Sequence, residues 1–238
     1  MKNSQIFKIK IFADGADLKS IEKLNLDPKI SGFTTNPSLM RKAGITDYKK
    51  FAHDVLKIVT KKPVSFEVFS DEINEMEKQA KEINSWGENV YVKIPITNSK
   101  GEKTIKLINN LSNNKVKCNV TAVFTLNQVK EIYNSVDTNV DSIISIFAGR
   151  IADSGLDPLN TIREAIKICE KKKRVEILWA STRELFNIIQ AENVNCHIIT
   201  VPHSILPKLS GIGKDLESLS LDTVKSFLVD AENSGYKI

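Results

Sequence analysis

The chain has 238 residues, 41% apolar, 26% charged and 7% aromatic, an ordinary globular composition at a length that suits one large domain or two small ones, barrels of about 200–250 residues being common single domains. Its net charge of +5 is modest and spread out; the densest basic run, Lys171-Lys172-Lys173-Arg174, falls where a helix should end and complements its dipole, which argues against a nucleic-acid partner. No stretch nears the roughly 18 apolar residues that span a membrane.

Met1–Lys10 alternates lysines with apolar residues, unlike a signal peptide. Cys118, Cys169 and Cys196 lie far apart and are odd in number, giving neither metal spacing nor a disulfide framework. Free thiols suit a reducing cytosol. The expectation is a cytoplasmic protein with no metal, no other cofactor and no membrane partner.

In chain order, strands are predicted near Phe7–Ala13, Ile30–Thr34, Val64–Val68, Val90–Pro95, Val116–Val123, Ser142–Phe147, Val175–Ala180 and His197–Val201. Several are almost uninterrupted apolar runs, as in parallel strands covered on both faces. Helical periodicity falls between them. Tyr48, Phe51, Ala52, Val55, Leu56 and Val59 share one face, as do Ile73, Met76, Ala80 and Ile83. Thr125-Leu126-Asn127-Gln128 fits a capping box, and Asp157-Pro158 offers an N-cap followed by proline at the first helical position. Eight strands alternating with helices predict an α/β fold, a (β/α)8 TIM barrel, as a single catalytic domain over residues 1–238. The stretch from Ser220 to Ile238 reads as an additional C-terminal helix with a short tail, suited to packing between subunits. An open doubly wound sheet would want a glycine-rich phosphate loop after the first strand, and Asp14-Gly15-Ala16-Asp17 is not one.

In such a barrel the chemistry sits at the C-terminal ends of the strands. The first strand ends at Asp14 and the second at Thr34-Thr35-Asn36-Pro37-Ser38. The third carries Glu67, the fourth Lys93, and the fifth Asn119 and Thr121. The sixth ends with Ser145 and runs through Phe147 into Gly149-Arg150, and the seventh runs into Ser181-Thr182-Arg183-Glu184. Lys93 stands out because it interrupts an apolar run. Lysine is seldom buried without a partner, and a desolvated amine loses its proton and attacks carbonyl carbon, which marks a Schiff-base site. Alternatively, Lys93 caps a strand end with its head in solvent. Glu67 inside its strand needs a cation or donor such as Lys93 or Thr121.

Each of the others has a structural alternative. Asp14 could cap a helix near Asp17, Asn36 could cap the helix opened by Pro37, and Thr121 could reflect β-propensity alone. Ser181 with Glu184 makes a capping box; a helix N-terminus there would attract anions, with Arg183 and Arg150 completing a phosphate clamp. His53 reads as a surface residue of a helix. His197 in the eighth strand and His203 after Pro202 form no zinc spacing with the cysteines. Trp86 and Trp179 read as packing.

Together these segments resemble the transaldolase family. The matching pieces are Ala13-Asp14-Gly15-Ala16-Asp17, Thr34-Thr35-Asn36-Pro37-Ser38-Leu39, Glu67-Val68, Val92-Lys93-Ile94-Pro95, Cys118-Asn119-Val120-Thr121, Ser145-Ile146-Phe147-Ala148-Gly149-Arg150 and Ala180-Ser181-Thr182-Arg183. They keep the family's order over nearly the whole chain. The resemblance implies a metal-independent, Schiff-base-forming barrel enzyme with Lys93 as the Schiff-base lysine and Asp14 as acid/base. It implies Glu67 and Thr121 as holders of a catalytic water, Asn36, Asn119, Ser145, Phe147 and Ser181 as substrate ligands, and Arg150 and Arg183 as phosphate ligands. The partners implied are small-molecule sugar phosphates and, as short relatives often form rings, further copies of the chain in a homo-oligomer. The short branch also contains fructose-6-phosphate aldolases, which tend to carry glutamine where Glu67 stands and tyrosine where Phe147 stands, so both positions favour transaldolase. A non-catalytic sugar-phosphate-binding barrel is the third reading. Gly15 departs from the pattern, which usually has threonine or another hydroxyl residue there.

Overall fold

A computed structural model describes residues 7–237. Eight parallel strands close into a barrel in sequence order, with β8 pairing back onto β1. They are β1 (Lys10–Asp14), β2 (Ile30–Thr34), β3 (Val64–Glu67), β4 (Val90–Pro95), β5 (Cys118–Val123), β6 (Ser142–Ile146), β7 (Val175–Trp179) and β8 (Ile198–Pro202). Around them run α1 (Leu18–Asn25), α2 (Pro37–Lys42), α3 (Tyr48–Ile58), α4 (Ile73–Asn84), α5 (Ile105–Asn113), α6 (Leu126–Ser135), α7 (Ala148–Asp153), α8 (Leu159–Cys169) and α9 (Phe186–Asn193). The barrel is therefore the predicted (β/α)8 fold, with a further helix, α10 (Leu216–Ser234), after a 3-10 turn.

Local signals account for most element ends. The Thr125–Gln128 capping box opens α6 with both of its hydrogen bonds made. Asp157 accepts from the Leu159 amide at 2.9 Å, so α8 begins one residue later than predicted, with Pro158 in the cap position. β1 starts at Lys10 rather than Phe7, because the amides of Lys8 and Ile9 are taken by the Glu192 carboxylate instead of a neighbouring strand. β5 starts at Cys118 because the Val116 amide closes the end of α5 on Leu111. The last helix opens four residues before the predicted Ser220, where Asp215 caps it, and ends at Gly235 in a left-handed conformation that a glycine adopts without strain. Residues 1–6 of the Met1–Lys10 segment and Ile238 of the predicted tail lie outside the described residues.

The period of two along a strand decides what the barrel encloses. Phe12, Ile143, Leu178 and Ile198 pack together as a buried apolar layer, with Tyr91 against it. The Phe12 ring needs the missing side chain of Gly32, whose β-carbon would fall 2.6 Å from it. Two residues further along β1, β6, β8 and β4 stand Asp14, Ser145, Thr200 and Lys93. The barrel thus has an apolar floor and, one layer nearer the C-terminal mouth, a polar layer.

The barrel unit ends at Leu206, and the segment from Pro207 onward forms a compact unit of its own. Within that unit α10 has no buried residue, and Leu216, Leu219, Leu221, Val224, Phe227, Leu228 and Val229 are exposed. No helix among the described residues is long and apolar enough to cross a membrane.

Candidate active site

Parallel register sets Glu67, Lys93 and Asn119 side by side on β3, β4 and β5. Lys93 is only 7% exposed, so its head is not in bulk solvent. Its Nζ lies 3.1 Å from a Glu67 carboxylate oxygen and donates to the Thr35 carbonyl at 3.2 Å. The amine is therefore not isolated among apolar groups: a carboxylate and a carbonyl face it. Glu67 has found the cation that its strand position required. Tyr48 on α3 donates to the Glu67 carbonyl at 2.8 Å, holding that strand end, and burial raises the phenol's pKa.

Asp14 accepts from Thr34 Oγ1 at 2.8 Å, and Thr34 in turn bonds Thr200 across the β1–β2–β8 corner. Burial raises the carboxyl's pKa; the neighbouring Lys93 charge and the Thr34 bond act against that, and Glu67 adds to it. Asp14 caps no helix, since Asp17 caps α1 through the Ser20 amide. Asn36 does cap α2, its Oδ1 accepting from Leu39, which leaves its amide nitrogen as the group for a ligand.

Asn119 is fully buried and donates to Ser65 Oγ at 3.0 Å, while Ser145 donates to the Asn119 oxygen at 2.6 Å. The chain Ser145–Asn119–Ser65 fixes which way the amide faces. Thr121 is also buried, and its Oγ1 has no partner among the described residues. It precedes Ala122, whose φ of 57° breaks the β5–β6 register. Such an irregularity re-aims the side chains beside it. An orphaned buried hydroxyl is costly unless water or a ligand completes it.

The β6 and β7 ends form a second cluster. Gly149 opens α7 against the β7 loop so closely that a β-carbon there would sit 1.7 Å from the Ser181 carbonyl oxygen. Ser181 itself has φ 65° and begins no helix. The predicted Ser181–Glu184 capping box is absent, because α9 opens only at Phe186 and the Arg183 and Glu184 amides go to Asn187 Oδ1. The left-handed turn at Ser181 breaks the helical path that the box required. Arg150 and Arg183 are both exposed on either side of this contact. Arg150 lies over the Phe147 ring at 5.6 Å, and Arg183 is ion-paired with Asp153.

The histidines and tryptophans sit elsewhere. His53 and Trp86, both half-buried, belong to an aromatic group with Tyr48 and the fully buried Phe66, Trp179 is buried, and His197 accepts the Ile177 amide at 2.9 Å. Burial pushes the Cys118 and Cys196 thiols up to about 12. Among the described residues no three His, Cys, Asp or Glu side chains converge to hold a metal ion. Sequence reasoning passed over Ser65, Thr200 and Asp153. Ser65 could have been found as the residue two before Glu67 on one strand face; the other two gave no local signal.

The model of a family described as transaldolase/fructose-6-phosphate aldolase matches residues 11–238. A protein of Nitrosopumilus maritimus (strain SCM1) named "Probable transaldolase" is 35% identical over 97% of this chain and 100% of its own length. A "Probable transaldolase" of Methanococcus maripaludis (strain C5) is 32% identical over 94% of the chain and 98% of its own. One of Thermoanaerobacter sp. (strain X514) is 35% identical over 84% and 89%.

Proposed function

The chain belongs to the transaldolase/fructose-6-phosphate aldolase family, and from that footing we propose that it is a transaldolase working through a Schiff base on Lys93. It would move a dihydroxyacetone unit from sedoheptulose 7-phosphate or fructose 6-phosphate to glyceraldehyde 3-phosphate or erythrose 4-phosphate, as a step of the pentose phosphate pathway in the cytoplasm. The observation that carries the reading is a buried lysine amine 3.1 Å from a carboxylate, set in a polar layer above an apolar floor.

In this mechanism Nζ of Lys93 first gives up a proton, for which Glu67 is within reach. The amine adds to the ketose carbonyl, and loss of water leaves an iminium. Asp14 takes the proton from the hydroxyl of the carbon that departs. The carbon–carbon bond breaks, its electron pair passes into the iminium to give an enamine, and the aldehyde leaves. A second aldehyde accepts the enamine carbon, Asp14 returns the proton, and water releases the new ketose from Lys93. The raised pKa of Asp14 suits a group that must both take and give a proton. The water that Glu67 and Thr121 would hold fits the unpaired Thr121 hydroxyl. Asn36, Asn119, Ser145, Phe147 and Ser181 would bind the sugar. Arg150 and Arg183 would clamp the phosphate, with Asp153 giving up Arg183 when it arrives.

The exposed apolar face of α10 supports a homo-oligomer as the working form. Borohydride in the presence of fructose 6-phosphate should leave a covalent adduct on Lys93; an unmodified Lys93 would refute the mechanism. Cleavage of fructose 6-phosphate should depend on added erythrose 4-phosphate. Turnover indifferent to the acceptor, with free dihydroxyacetone released, would assign the aldolase activity instead.

A further inference from the structure

The space above Gly15 is already filled. A β-carbon at that position would lie 2.4–2.6 Å from three atoms of the His203 ring, far inside van der Waals contact. The backbone does not demand glycine there, since Gly15 is not among the residues of positive φ. What excludes a side chain is the imidazole.

The two residues come together for a topological reason. β1 and β8 pair in parallel with Asp14 opposite Pro202, so Gly15 and His203 are the next pair beyond the strand ends. The Gly15 amide is bonded to the Thr34 carbonyl of β2 at 3.1 Å, which leaves the segment after Asp14 held by β2 on one side and by the ring on the other. His203 Nε2 is shielded from solvent and has no partner among the described residues. Burial lowers the ring's pKa, with Asp17 opposing, and the neutral imidazole packs as a flat wedge. The same chain uses the same device one layer deeper, where the Phe12 ring occupies the place of a Gly32 side chain.

We propose that His203 is a positioning residue for Asp14: its ring, seated where Gly15 lacks a side chain, clamps the Asp14–Gly15 segment and sets the carboxylate over the barrel mouth. This rests on the reading of Asp14 as the acid/base of carbon–carbon cleavage, a step that follows Schiff-base formation. A misplaced carboxylate therefore slows transfer without preventing the adduct.

The test compares the full-length protein with Gly15→Ala, His203→Ala, His203→Phe and the double variant Gly15→Ala/His203→Ala. For each, kcat and KM of acceptor-dependent transfer are measured beside borohydride trapping of Lys93 with fructose 6-phosphate. Each alanine single variant should lose about tenfold in kcat, with KM and trapping nearly unchanged. The double variant should return to within about threefold of the parent, because the new methyl refills the vacated space. His203→Phe, which keeps a flat ring, should retain most of kcat. An undiminished kcat in His203→Ala, losses that multiply in the double variant, or a His203→Phe as slow as His203→Ala would each overturn the clamp. Failure to trap the parent protein would sink the Schiff-base reading, and the clamp with it; a trapped parent with multiplying losses sinks the clamp alone.

Discussion

Lys93, Glu67 and Asp14 place one amine and two carboxylates on strands of one barrel, and the proposed mechanism assigns each a separate step. Glu67 lies against the amine at 3.1 Å, so Glu67→Gln keeps the shape and removes the carboxylate that the proposed mechanism uses as proton acceptor. Borohydride trapping at Lys93 should then slow by about 100-fold with an unchanged circular dichroism spectrum; trapping at the parent rate would remove Glu67 from the mechanism. Asp14 carries a pH signature. An unfolded aspartate ionises near pH 3.9, whereas burial raises the folded value. Above both values the native state holds a carboxylate that its surroundings disfavour, and below both it holds none. Asp14→Asn should therefore raise the thermal midpoint at pH 7, and the gain should shrink as the pH falls through the raised folded value and be gone by about pH 4. A difference that stays constant from acid to neutral pH would contradict burial as the cause. Lys93 and Glu67 were legible in the sequence because charges in an apolar strand must be explained. Ser65 and Thr200 were not, because small hydroxyl residues in a strand look the same whether they bond a site residue or only favour β structure.

Among the elements, the β6–α7 and β7–α9 junctions carry the proposed phosphate site and meet in a close backbone contact. Gly149 allows the Ser181 carbonyl to approach where a β-carbon would be 1.7 Å away, and backbone cannot give way as a flexible side chain can. Gly149→Ala should cost about 1–3 kcal/mol of stability and raise KM for phosphorylated sugars, because it pushes Arg183 away from Arg150. Arg183→Ala should raise that KM about tenfold, the loss of one charge-assisted contact at an exposed site, while leaving turnover of non-phosphorylated sugars unchanged. An equal loss on both substrates would show that these arginines bind something other than phosphate. Sequence spacing suggested a helix N-terminus at Ser181; the left-handed turn there (φ 65°) instead sends the chain past α7 before α9 begins. The predicted helix start at Ser181 was wrong, because a left-handed residue cannot open the helix that the spacing described.

For the whole molecule, the exposed apolar residues of α10 are what the proposed homo-oligomer would cover. Phe227 and Leu228 are 67% and 60% exposed, and burying such side chains stabilises by roughly 1.5–3 kcal/mol each. The double substitution Phe227→Glu and Leu228→Glu should lower the mass seen by light scattering; a mass unchanged at equal concentration would rule out α10 as the contact. What the sequence determined by itself was the alternation of strands and helices, the barrel that follows from it, and the ordered motifs that mark the family. Those signals are local, carried by periodicities of two and 3.6 and by caps within four residues. Only the tertiary structure decided the pairings: Ser145 with Asn119 and Ser65, Arg183 with Asp153, His203 over Gly15. Each joins residues from different strands or loops, 26 to 188 positions apart, and it is barrel closure and parallel register, not spacing along the chain, that brings them within reach.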